Sequence, residues 1–122
     1  MSLKILDVGQ CGFDGPRMAR LFKKQLDATV ESVSTAAEAK QKLAAGKYNI
    51  VLVNRVLDGD RSSGVELIAE LAGAGTTTPL MLVSDREEAQ DQAVASGAIR
   101  GFGKAELGEP EMLELIKNAS KP

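Results

Sequence analysis

The sequence contains no histidine and no tryptophan, one cysteine (Cys11), one tyrosine and three phenylalanines. Each shortage removes a class of function. Without an imidazole, no Ser-His or Cys-His catalyst can be assembled within the chain. A single cysteine cannot close an intramolecular disulfide, and without histidine it cannot build a Cys/His zinc site. Such thiol usage fits a reducing, cytoplasmic setting. The formal net charge is −2, and with so few aromatics the usual footprint of nucleic-acid binding is missing. No apolar run approaches the roughly 18 residues of a membrane span. The segment Met1 to Val8 contains Lys4 and Asp7 and is too short for a secretory signal.

What is present is an ordinary globular balance. The chain has 122 residues, 43% hydrophobic and 26% charged, which excludes a disordered or collagen-like polymer and matches one domain over 1–122. Met1-Ser2-Leu3 has the look of an added start, and Lys121-Pro122 of the first residues of a linker. Both are consistent with a domain taken from a longer protein.

Hydrophobic periodicity gives the elements. Leu3 to Val8 reads as a buried strand. Asp14 to Leu26 has helical spacing, with Met18, Leu21, Phe22 and Leu26 on one face. Ala28 to Val33 reads as a strand. Thr35 and Glu38 form a capping box for a helix that runs to about Ala45 and stops at Gly46. Ile50 to Val53 is an unbroken apolar run between two amides, as in a parallel strand covered on both faces. A loop from Arg55 to Ser63 turns at Asp58-Gly59-Asp60. Then come a helix from Gly64 to Leu71, a strand from Pro79 to Ser84, and a helix from Arg86 to Ser96. A Gly-containing strand from Ala98 to Gly103 and an amphipathic helix from Glu109 to Ser120 complete the chain. Five β-α repeats predict an α/β, doubly wound parallel sheet with helices on both faces. In such sheets the site lies at the carboxyl ends of the strands, here Gly9-Gln10, Asn54, Ser84 and Lys104.

The element order and these strand ends resemble the receiver domain of bacterial response regulators, over nearly the whole chain from Lys4 to about Asn118. The resemblance implies a flavodoxin-like (βα)5 fold with strand order 2-1-3-4-5. It also implies a site in which an Asp ending the third strand takes a phosphoryl group from a histidine kinase. An acidic pair after the first strand holds Mg²⁺ there, a Ser/Thr ends the fourth strand, and a Lys ends the fifth. Ser84 matches the hydroxyl, Lys104 the lysine, and Gly97-Ala98 the Gly-Ala before the fifth strand. The rest departs. The acidic pair falls on Gly9 and Gln10, and the phosphoacceptor falls on Asn54. Ala105 stands where a Pro usually follows the lysine. Gly101 stands where the switch aromatic belongs, with Phe102 displaced by one. The loop after Asn54 is about two residues longer than usual.

An amide cannot form a stable acyl phosphate, and a hard cation needs carboxylates. The expectation is therefore a degenerate receiver in two-component phosphorelay signalling, with no phosphorylation, no Mg²⁺ or other cofactor and no catalysis. It would bind protein partners in the cytoplasm, a histidine kinase or an output domain, without contact to nucleic acid or membrane. The family also implies a homodimer through the face of the fourth helix, fifth strand and fifth helix, an inference that Gly101 weakens.

Several residues leave alternatives open. Asp7, Asp58 or Asp60 could substitute for the missing carboxylates of a conventional receiver, although Asp58 and Asp60 also suit a solvated turn. Asp7, in a strand covered on both faces, needs a partner or a shifted register. Lys104, deprived of the family's carboxylates, should meet Asp85, Asp58 or Asp60, an anion, or solvent. Gly9, Gly12 and Gly15 form a glycine-rich loop that lacks the dinucleotide fingerprint. Cys11 and Arg17 have the spacing of a low-molecular-weight phosphatase, opposed by Asp14, Pro16 and Met18 within or beside the loop.

Overall fold

The computed structural model describes residues 3–120. The strands are β1 (Lys4–Val8), β2 (Thr29–Val33), β3 (Ile50–Asn54), β4 (Leu80–Val83) and β5 (Ile99–Phe102). The helices are α1 (Asp14–Leu26), α2 (Ala36–Ala45), α3 (Gly64–Gly73), α4 (Glu87–Ala95) and α5 (Pro110–Ala119). All pairings are parallel and the order is β2-β1-β3-β4-β5, as expected. Among the described residues, no helix is long and apolar enough to cross a membrane.

Alternation along the strands divides the core into two layers. Leu6, Val8, Val51, Val53, Leu80 and Leu82 pack with α2, α3 and α4 through Ala39, Leu67, Ile68, Leu71, Ala89 and Ala93. Ile5, Ile50, Leu52, Met81, Val83 and Phe102 pack with α1 and α5 through Met18, Phe22, Met112 and Ile116. The unbroken apolar run of β3 follows from this, since both its faces are covered. The capping box forms: Thr35 Oγ1 accepts from the Glu38 N–H, and Glu38 Oε1 accepts from the Thr35 N–H, both at 3.1 Å.

The segment from β5 onward differs from expectation in two places. The β4–β5 register steps from Met81↔Ile99 to Val83↔Phe102, so three intervals of β5 oppose two of β4. This bulge around Arg100 and Gly101 brings Phe102 into the α1/α5 layer, where it is 1% exposed. A 3-10 turn over Lys104–Glu106, absent from the sequence expectation, follows directly.

Candidate functional site

The carboxyl ends of β1, β3, β4 and β5 converge on one edge of the sheet. At the end of β1, Gly9 has φ +82°, and a Cβ there would lie 2.5 Å from Leu57 Cδ2 and 2.8 Å from Leu57 Cα. Gly9 is thus both conformationally required and sterically closed to any side chain. The closure comes from the long β3–α3 loop, which folds back over β1. The Asp58 N–H donates to Gly9 O (3.0 Å) and the Gly59 N–H to Ser34 O (2.9 Å). Asn54, at the end of β3, joins this arrangement: its Nδ2 donates to Gly9 O (3.2 Å) and to Val56 O (2.9 Å). Those two acceptors need an amide, because a carboxylate has no proton to give them.

The loop acids are placed as turn residues. Asp60 accepts from the Ala36 N–H (3.1 Å) at the start of α2, and from the Ser62 N–H (3.0 Å) and hydroxyl (2.6 Å). These donors hold its carboxyl below the usual carboxylate range, the Ser62 side chain first. Asp58 is exposed. At the end of β4, Ser84 Oγ accepts from the Arg86 N–H (3.2 Å) and so belongs to the turn into α4. Gln90, buried below it, donates to Leu82 O and Ser84 O, both at 3.0 Å, and accepts from the Gly101 N–H at 2.9 Å. One side chain thereby ties β4 to the bulged β5.

Lys104 does not meet Asp85, Asp58 or Asp60. Its Nζ lies 2.8 Å from Asp14 Oδ2. Asp14 is the first residue of α1, and the Gly-rich β1–α1 loop sets it over the edge of the sheet. The Lys104 contact is the main cause of a carboxyl held below its ordinary value. In the sequence Asp14 stands at a helix start and in the phosphatase-spaced loop; the signal for its pairing is a carboxylate at a helix start beside a glycine-rich strand end. The same residue bears on Cys11, whose Sγ donates to Asp14 Oδ2 (3.4 Å) and accepts from the Asp14 N–H (3.3 Å). A carboxylate therefore occupies the loop in which a phosphatase would seat its anion.

Asp7 keeps the expected β1 register, opposite Ser32 and Leu52. It is 1% exposed, and neither of its carboxylate oxygens nor either polar atom of the buried Gln10 side chain has a hydrogen-bond partner. Gln10 and Lys104 act on it electrostatically, but no group makes a well-formed hydrogen bond to it. Burial pushes its carboxyl up to about 7, against the opposing pull of Gln10 and Lys104 and with a smaller push from Asp14.

A cavity of about 270 Å³ remains between the strand ends, lined by Asn54, Arg55, Val56, Val83, Ser84, Asp85 and Lys104. It gathers the three sequence-predicted residues Asn54, Ser84 and Lys104, and leaves Gly9 and Gln10 outside. Among the described residues, no group of three or more His, Cys, Asp or Glu side chains is arranged to hold a metal.

No family profile and no curated protein matches the sequence. Solved structures do match. The chain is similar to the receiver domain of the Francisella response regulator 1452, at 15% identity and TM-score 0.81, over 96% of this chain and 95% of that one. It is similar to the BeF3-activated N-terminal receiver domain of RstA from Klebsiella pneumoniae, at 22% identity and TM-score 0.82, over 95% and 97%. NtrX from Brucella abortus matches at 20% identity and TM-score 0.78 over 97% of this chain, which spans 29% of NtrX. The fold is the receiver fold.

Proposed function

We propose that this domain is a receiver-type module of two-component signalling that works by binding proteins and is neither phosphorylated nor catalytic. The observation that carries the reading is the state of the strand ends. The fold is kept, yet Gly9 has no room for a side chain, Asn54 spends its amide on two carbonyls, and Lys104 is paired with Asp14. The residues present do not fit Mg²⁺, which prefers carboxylate oxygens in near-octahedral arrangement. At this edge Gln10 offers only an amide, the Asp14 carboxylate is paired with Lys104, Asp7 is buried within β1, and Asp85 lines the cavity without two further carboxylates grouped beside it.

In this reading the family's switch has become a fixed structural joint. Ser84 is held by the turn into α4 and Phe102 is locked in the core. Partner binding then falls to preformed surface. The α4–β5 face carries exposed Val94 and Ile99, and Arg100 is paired there with Glu87 and with Asp91 (2.8 Å). A kinase, an output domain or a second copy would dock on such a face without a phosphorylation step.

Beryllofluoride with Mg²⁺, which mimics an acyl phosphate, tests this. The ¹⁵N resonances of Asn54, Ser84, Phe102 and Lys104 should move no more than with Mg²⁺ and fluoride alone. A saturable, beryllium-dependent shift of Ser84 and Lys104 together would replace the reading by that of a conventional receiver.

A further inference from the structure

Beside the strand-end cavity lies another, of about 330 Å³, walled by the β3–α3 loop, the start of α3 and the first turns of α4. The two share Arg55 and Val56. Three arginines line it, Arg55, Arg61 and Arg86, against one acidic residue, Glu88. Among the described residues the guanidinium groups of these three arginines make neither ion pair nor hydrogen bond. The other cation of this edge, Lys104, is paired, and so is Arg100. In a chain of net charge −2, a concave cluster of three unpaired arginines is a local reversal of sign.

The loop is built to present Arg61. Val56 and Ser63 form an antiparallel bridge, and the Leu57 N–H donates to Ser62 O (2.9 Å). At the tip of this small hairpin Arg61 has φ +61°, a left-handed conformation that residues with a Cβ disfavour. The Arg61 N–H donates to Leu57 O (2.8 Å) and Asp60 fixes Ser62, so neighbouring contacts hold that backbone in place. On the wall beside it, Ser63 Oγ accepts from the Glu66 N–H at the start of α3 (3.2 Å), which leaves the hydroxyl proton free to donate.

We infer that this cavity binds the phosphoryl end of a small phosphate monoester. Planar guanidinium forks match phosphate oxygens two at a time. A phosphate monoester brings a charge of about −1.5 to −2 and three strong acceptors, against three guanidiniums and one carboxylate. The volume is at the lower end of small-ligand pockets, roughly 300–1,000 Å³. No aromatic side chain lines the cavity, so recognition rests on the phosphoryl group and not on a stacked base. The binding is non-covalent and separate from Asn54, so it stands whether or not the strand-end site is phosphorylated.

The test is an NMR titration of the full chain with inorganic phosphate and with glycerol phosphate, against chloride at matched ionic strength. Both phosphates should produce saturable shifts at Arg55, Ser62, Ser63 and Arg86 that chloride does not. Arg61→Gln and Arg86→Gln should each weaken binding by about tenfold, Arg61→Lys by less, because it keeps the charge and loses the fork. Arg20→Gln, on the exposed side of α1, should change nothing. Unchanged melting curves would establish that the variants fold. Equal response to chloride, binding indifferent to Arg61 and Arg86, or exclusion of glycerol phosphate while inorganic phosphate binds would each overturn the inference.

Discussion

Asp7→Asn should stabilise the protein by about 4 kcal/mol at pH 8 and by almost nothing at pH 4. The carboxyl lies in the core, 1% exposed and without a hydrogen-bond partner. Desolvation raises it from 3.8 to about 7. Above pH 7 the folded chain must keep a charged carboxylate out of water, a cost the unfolded chain does not bear. Between about pH 4 and 7 the folded state holds a proton that the unfolded state has lost, so stability rises as pH falls through that window. Below it both states are protonated and the slope from this residue vanishes. Asparagine has nearly the same shape and never ionises. Urea unfolding of both proteins at pH 4.5, 6 and 8 checks this. No gain at pH 8 would mean that the Asp7 carboxylate is satisfied in the folded protein, and a gain that does not shrink toward acid pH would mean that it does not come from the Asp7 charge.

Gly101→Ala should cost about 3 kcal/mol, the upper end of ordinary overpacking. A Cβ at this position would overlap the Leu82 carbonyl oxygen and lie 2.6 Å from Met81 Cγ. Neither obstacle can move cheaply. The Leu82 carbonyl already accepts from Gln90 Nε2, and Gln90 Oε1 accepts from the Gly101 N–H. The alanine would therefore strain the joint between β4 and β5. Gly12→Ala is the control, since nothing lies within 4 Å of its Cβ. Thermal melts should separate the two clearly. A Gly101→Ala protein melting with the wild type would mean that the bulge relaxes freely. The same geometry leaves no room for an aromatic side chain at position 101: the space is filled by backbone, and Phe102 serves the core one residue later.

The elements were legible in the sequence because their causes are local. The apolar run of β3, the Thr35–Glu38 box and the Gly46 stop each act within a few residues. What escaped was set by contacts between distant segments. Lys104 and Asp14 come from opposite ends of the chain, and only the closed sheet brings them together. The glycine at position 9 reads as flexibility in a line of sequence. In space it is the seat of Leu57, placed there by the lengthened β3–α3 loop. The bulge at Gly101 arises from a register shift that periodicity over four residues cannot signal. The three arginines were invisible as a set, because Arg55 and Arg61 lie in a loop and Arg86 precedes α4. The alternatives raised for Asp58, Asp60 and Cys11 narrow for the same reason. Asp60 caps α2 and orders the turn, and Cys11 shares its loop with the Asp14 carboxylate.

The proposed function requires that the domain have no phosphoacceptor. Intact-mass spectrometry after incubation with acetyl phosphate and Mg²⁺ at neutral pH tests it most directly, because it reads covalent addition wherever it occurs. The mass should be unchanged. A stoichiometric gain of one phosphoryl group, mapped to Asp7, Asp58, Asp60 or any other carboxylate, would contradict it.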